Sequence, residues 1–195
     1  MKRKRRKTVH YLTTALPKTA APTFPKGTTS LWLYNQAQYS NREVEDLSAL
    51  QFKDYPDEVM WLNDYGLQHA DISSTILPNG LDEFLLHLMT EVNHRNKVIE
   101  LDACFFFSLK APALTPDAHL VFEQLFFVVS KSDAYIWTLQ ELEGDHFDHI
   151  RARIAKNAGM VRKKSSDYLF YLLIEATVDN FYRSYERLSE DNKRL

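Results

Sequence analysis

The sequence predicts an α/β (α+β) domain: a mixed β-sheet sandwiched between helical layers, αβα, with a long helix at its C-terminal end. Three observations carry this. The runs CFFFSL (Cys104 to Leu109) and LFFVVS (Leu125 to Ser130) are apolar at successive positions, so these strands need cover on both faces. Strand-like and helix-like segments interleave from Ser30 onward. From Ser166 to Leu195 neither Gly nor Pro interrupts a helical pattern.

Taken in order, the chain starts with six consecutive cations, Lys2 to Lys7. Such a run stays solvated and suits phosphate or anionic lipid. Residues 15–29, ALPKTAAPTFPKGTT, read as an irregular lead-in, so 1–29 form a basic tail and Pro-rich segment ahead of a domain at 30–165 and a helix at 166–195. Ser30 to Gln36 alternates like a strand, Arg42 to Leu50 reads as a helix, and Glu58 to Asn63 as a second strand turned by Gly66. A short helix from Asp71 to Leu77 stops at Pro78, and Leu81 to Asn93 is amphipathic.

Three β-rich segments follow: Val98 to Leu109, His119 to Ser130 and Ala134 to Gln140. The short link Lys131 to Asp133 predicts an antiparallel hairpin. Glu143 to Ala158 reads as a helix with Asp145 at its N-cap and Asp148 in its first turn, both suited to the positive end of the helix dipole. In the last helix, Ile174, Val178, Phe181, Tyr185, Leu188 and Leu195, with Asn192 in the remaining slot, step by four and three. That is a coiled-coil-like seam, and it is still running when the chain stops, as if cut. At ~1.5 Å per residue such a helix is roughly 45 Å long, more than the domain can cover.

Composition bounds the function. A net charge of −2 and a pI near 6.4 disfavour general nucleic-acid affinity, and no apolar run reaches the length of a transmembrane helix. The single thiol, Cys104, sits in an apolar run and reads as a buried strand residue in a reducing compartment. No glycine-rich phosphate cradle or GxSxG elbow is present, no acid/base pair stands out, and the reading is of a protein that is not an enzyme and requires no cofactor. His146 and His149 form an HxxH pair flanked by Asp145 and Asp148, which could look like a metal site, but a helix start already accounts for the aspartates; His87 and His94 lie seven apart without a third ligand.

The order strand, QELEGDHFDHIRARIAKNAGMVRKKSSDYLFYLLIEATVDNFYRSYERL, resembles the cytoplasmic domain of CorA-type magnesium/cobalt transporters. That family shows QExxGDxFDxxRxRI, a Gly, an Arg-Lys-rich turn, DYLLY and VDN. The matching residues are Gln140, Glu141, Gly144, Asp145, Phe147, Asp148, Arg151, Arg153, Ile154, Gly159, Asp167, Tyr168, Leu169, Tyr171, Val178, Asp179 and Asn180. Upstream, Trp61, Asn63 and Gly66 resemble the family's WINxxG strand and turn.

The resemblance implies a homopentamer whose αβα domains form an intracellular funnel at the cytoplasmic face of the membrane. It implies a long stalk helix leading to transmembrane helices and a Gly-Met-Asn signature that would lie past Leu195. Mg2+, Co2+ or another divalent cation is then the transported or regulatory ion, with no nucleic-acid partner. A fragment lacking most of the stalk is expected to associate weakly. A Glu-Asp pair that binds regulatory magnesium in many members falls on Leu88 and Met89, neither of which can ligate a hard cation; Glu175 matches a carboxylate position on the stalk and is the one candidate ligand left. A zinc-transporting ZntB-like domain and a soluble partner-binding regulatory protein are the alternatives.

Overall fold

A computed structural model of the chain describes residues 28–66, 69–91, 95–114, 120–141 and 146–193. The basic tail and most of the lead-in lie outside these residues. Seven strands form one mixed sheet: β1 (Thr28–Tyr34), β2 (Tyr39–Glu43), β3 (Val59–Tyr65), β4 (Lys97–Glu100), β5 (Cys104–Leu114), β6 (Leu120–Ser130) and β7 (Tyr135–Gln140). Their order is β2-β1-β3-β7-β6-β5-β4, antiparallel except where β3 runs parallel to β7.

Helices α1 (His69–Ile76) and α2 (Phe84–Thr90) lie over one face, and α3 (Asp148–Ala155) and α4 (Ser166–Lys193) over the other. Because side chains alternate across a strand, β3 sends Met60 and Leu62 to the first layer and Val59 and Trp61 to the second. The predicted αβα sandwich is therefore present, with β6 and β7 buried along most of their length. On the second face Phe147 sits edge-on to both Trp61 and Phe127, at centroid distances of 6.0 and 6.3 Å. Leu169, Leu172, Leu173 and Ala176 press α4 onto the same cluster, and each buried leucine stabilises that contact by about 1.5–3 kcal/mol.

Local expectations fail where tertiary pairing outweighs periodicity. Arg42 to Leu50 is no helix: Tyr39–Glu43 is the exposed edge strand β2, followed by a 3-10 turn at Leu47–Ala49. The Asn35 carboxamide accepts from the N–H groups of Ala37 and Gln38 and closes a tight β1–β2 turn, and Tyr39 stacks on Trp32 across the pair, so the edge strand forms without apolar alternation. Val98 to Leu109 is two strands, because the chain reverses at residues 101–103 and Leu101 N–H donates to the Cys104 carbonyl. The third helix starts at Asp148 rather than Glu143; Asp145 lies outside the described residues, and Asp148 occupies the first turn as expected.

Gly66 turns the chain at φ 60°, its N–H donating to the Gln140 carbonyl, and Gly159 adopts φ 73° between α3 and α4. A side chain at Gly159 would meet the Arg153 guanidinium at 3.3 Å as well as straining the backbone. The basic turn that follows is an anchor. Arg162 is 8 % exposed, its Nε–H donating to the Asn35 carbonyl while the guanidinium lies over the Tyr39 ring.

The long helix is present as one element of 28 residues, about 42 Å at the standard rise. Its seam faces outward. Val178, Phe181 and Tyr185 are 46, 42 and 71 % exposed, while Ile174 packs against the sheet-facing cluster. Side chains at Leu188, Asn192 and Leu195 are outside the described residues.

Candidate functional site

Glu175 lies on the exposed side of α4, with Tyr171 one turn before it and Asp179 one turn after. The Tyr171 hydroxyl donates to Glu175 Oε1 at 2.8 Å, and that carboxylate raises the Tyr171 pKa. Two exposed carboxylates four residues apart offer a divalent cation at most a partial set of oxygens. Among the described residues no group of three or more His, Cys, Asp and Glu side chains is placed to hold a metal ion.

Leu88 and Met89, where the resemblance places the regulatory acid pair, are 3 and 6 % exposed and belong to the core under α2. With Leu85 they form the inner stripe of a short amphipathic helix, and the exposed acids at its two ends are Asp82, Glu83 and Glu91. These positions do not face outward, so a carboxylate pair cannot be restored there without entering the core.

The histidine pairs do not converge. His149 is exposed, whereas the His146 side chain is 8 % exposed and already engaged. Its Nε2–H donates to the carboxylate of Glu123, and its Nδ1 accepts from the Asn180 carboxamide. These two partners fix the proton on Nε2. His87 stacks on Phe84, and His94 lies outside the described residues.

The Glu123–His146–Asn180 group joins β6, the lead-in to α3, and α4. Sequence reasoning missed Glu123, though a signal existed: Glu123 and Gln124 interrupt the apolar run of β6. Both are buried, Gln124 donating to Ser108 Oγ and the Leu109 carbonyl. Asn180, the last residue of VDN, thus has a structural use, fastening α4 to the end of the sheet through His146.

A second buried acid, Asp64, sits at the end of β3 and accepts from Trp137 Nε1–H. Burial pushes its pKa up to about 7, opposed by hydrogen bonds from Thr29 and Trp137. The folded chain therefore keeps a proton that the unfolded chain releases near pH ~4. This contribution to stability is complete below that pH and is lost as pH rises through about 7. Asp64→Asn should flatten the fall in stability between pH 5 and 8 by about 1–3 kcal/mol relative to the parent, read by urea denaturation. Parallel curves for the two proteins would contradict this assignment.

Comparison with known proteins adds to this geometry. No protein-family model matches the chain. It is 31 % identical over 156 residues to the cobalt/magnesium transport protein CorA of Thermotoga maritima, a match that takes in 79 % of this chain and 43 % of that protein. The chain thus spans less than half the length of this curated relative. Its fold resembles the soluble domain of CorA from Methanocaldococcus jannaschii, with a TM-score of 0.59 at 11 % identity over 84 % of this chain and 62 % of that one. It also resembles the ZntB cytoplasmic domain from Vibrio parahaemolyticus, with a TM-score of 0.65 at 14 % identity over 85 % of this chain and 64 % of that one. Over those 156 residues the chain is a sequence relative of CorA, and its fold is that of the CorA soluble domain and the ZntB cytoplasmic domain.

Proposed function

We propose that this chain is the cytoplasmic domain of a CorA-like divalent-cation transporter, carrying Mg2+ or Co2+, and that five copies form the intracellular funnel of the complete protein. The observation that supports this most is the 31 % identity to a cobalt/magnesium transport protein. This reading keeps 30–165 as the αβα body and 166 onward as the stalk, although β1 begins at Thr28 and Leu169 to Ala176 of α4 still cover the sheet; the outward seam of α4 from Val178 suits packing against neighbouring copies. No helix among the described residues is long and apolar enough to cross a membrane. The transporter reading itself puts ion passage in transmembrane helices past Leu195. Reading the frame onward tests this: two apolar spans with Gly-Met-Asn support the transporter, and a stop codon supports a soluble regulatory protein.

The zinc alternative rests on the ZntB fold neighbour and on no shared ligand set. The proposed metal role of Glu175 is that of a lone weak ligand. Magnesium gives up its hydration water reluctantly and needs several oxygens, so calorimetric titration of the chain should show affinity no better than about millimolar. Saturation at tens of micromolar, abolished by Glu175→Ala, would contradict this and show that other groups complete the site.

Association follows from the same reading. With a projecting helix and a small remaining interface, the chain should sediment mainly as a monomer at micromolar concentration. A stable pentamer at that concentration would show that the funnel body itself carries assembly.

A further inference from the structure

We propose that α1 is a proton-controlled flap: its first turn stays seated over Asp64 while that buried carboxyl keeps its proton, and lifts when the proton leaves. Asp64 is fully buried at the end of β3, one oxygen accepting from Trp137 Nε1–H while Oδ1 has no hydrogen-bond partner. A neutral carboxyl tolerates such a place at modest cost. An ionised one with a bare oxygen does not, because a charge without water or donors is far more costly to bury.

The way α1 is held shows where water gets in. The helix follows Asp64 across the Gly66 turn and runs back over the sheet. Its far end is clamped: just past α1 the Asn79 carboxamide accepts from the Phe52 N–H and donates to the Leu50 carbonyl, and Phe52 packs on Tyr135 at the start of β7. Its near end carries Asp71 in the first turn, and the Asp71 charge acts on Asp64. Between these ends Ile72 and Ile76 enter the core. An eight-residue helix seated in this way opens at its free end far more easily than the sheet unfolds. Lifting that turn brings water to Asp64 and separates the two carboxyl groups.

Burial keeps Asp64 protonated up to about pH 7, whereas a carboxyl in water ionises near pH ~4, so opening between those limits releases a proton. Opening is therefore suppressed in acid, grows easier as pH rises, and levels off above about 7. β1 and β7 present Thr29 and Trp137, which do not titrate in this range, so among the described residues Asp71 is the charged group acting on the site. Global unfolding exposes Asp64 too. What distinguishes the flap is that α1 opens while the sheet and α4 stay closed.

Amide exchange is followed in the parent chain, Asp64→Asn and Asp71→Asn at about pH 5.5 and about pH 7.5, each rate divided by the intrinsic rate at that pH. In the parent the opening constant for Ser73 to Ile76 should rise at least ~10-fold at the higher pH and exceed the global constant from urea denaturation, while Leu169 to Ala176 exchange only at the global constant. Asp64→Asn should abolish the rise, and Asp71→Asn should reduce it. No rise in the parent, or α1 exchanging only through global unfolding, overturns the proposal. A rise equal to the parent's in either variant also overturns it. The parent and Asp71→Asn decide the matter alone if Asp64→Asn does not fold.

Discussion

Leu88→Glu should destabilise the fold by about 4 kcal/mol or more, and Leu88→Glu combined with Met89→Asp should leave the chain largely unfolded at pH 7. Both side chains lie in the apolar cluster under α2 with Leu85, Ile76 and Leu81. An acid at either position must be buried unpaired or held protonated. Urea denaturation checks this directly. A folded double variant that gains micromolar magnesium affinity would show that α2 can rotate these positions outward.

Glu123→Ala is the second large effect, an expected loss of about 3–5 kcal/mol. The substitution removes the acceptor of the His146 Nε2–H in a buried place. Glu123→Gln keeps an acceptor and should cost about 1 kcal/mol. Because Asn180 reaches the sheet through His146, amide exchange in α4 from Asn180 onward should accelerate in the alanine variant, while Leu169 to Ala176, seated on the Trp61–Phe127–Phe147 cluster, stays protected. An alanine variant within ~0.5 kcal/mol of the parent would remove Glu123 from any fastening role.

The sheet and its helical cover were legible because they are written in burial. CFFFSL and LFFVVS became interior strands β5 and β6, and uninterrupted helical residues after Ser166 became α4. What stayed hidden was decided across distance. Tyr39–Glu43 has no apolar pattern because an edge strand exposed along its length needs none, and only its partner β1 makes it a strand. The split between β4 and β5 depends on one hairpin turn inside an otherwise continuous β-rich segment.

The site was legible to a smaller degree. Glu175 proved exposed, as a candidate ligand requires, but nothing in the sequence showed that Leu88 and Met89 face the core rather than a neighbouring copy. An aspartate in a strand looks polar on paper, and only the parallel pairing of β3 with β7 puts Asp64 beside Trp137 with its proton retained. Likewise HxxH suggested metal, whereas the fold gives His146 a carboxylate on one nitrogen and a carboxamide on the other.

The measurement that bears most directly on the proposed function is cation uptake by cells deficient in magnesium transport and expressing the whole reading frame that contains this domain. Uptake of Mg2+ or Co2+, with the protein in the membrane fraction, is the predicted result. Membrane-located protein that moves neither ion, or that moves Zn2+ alone, would contradict it.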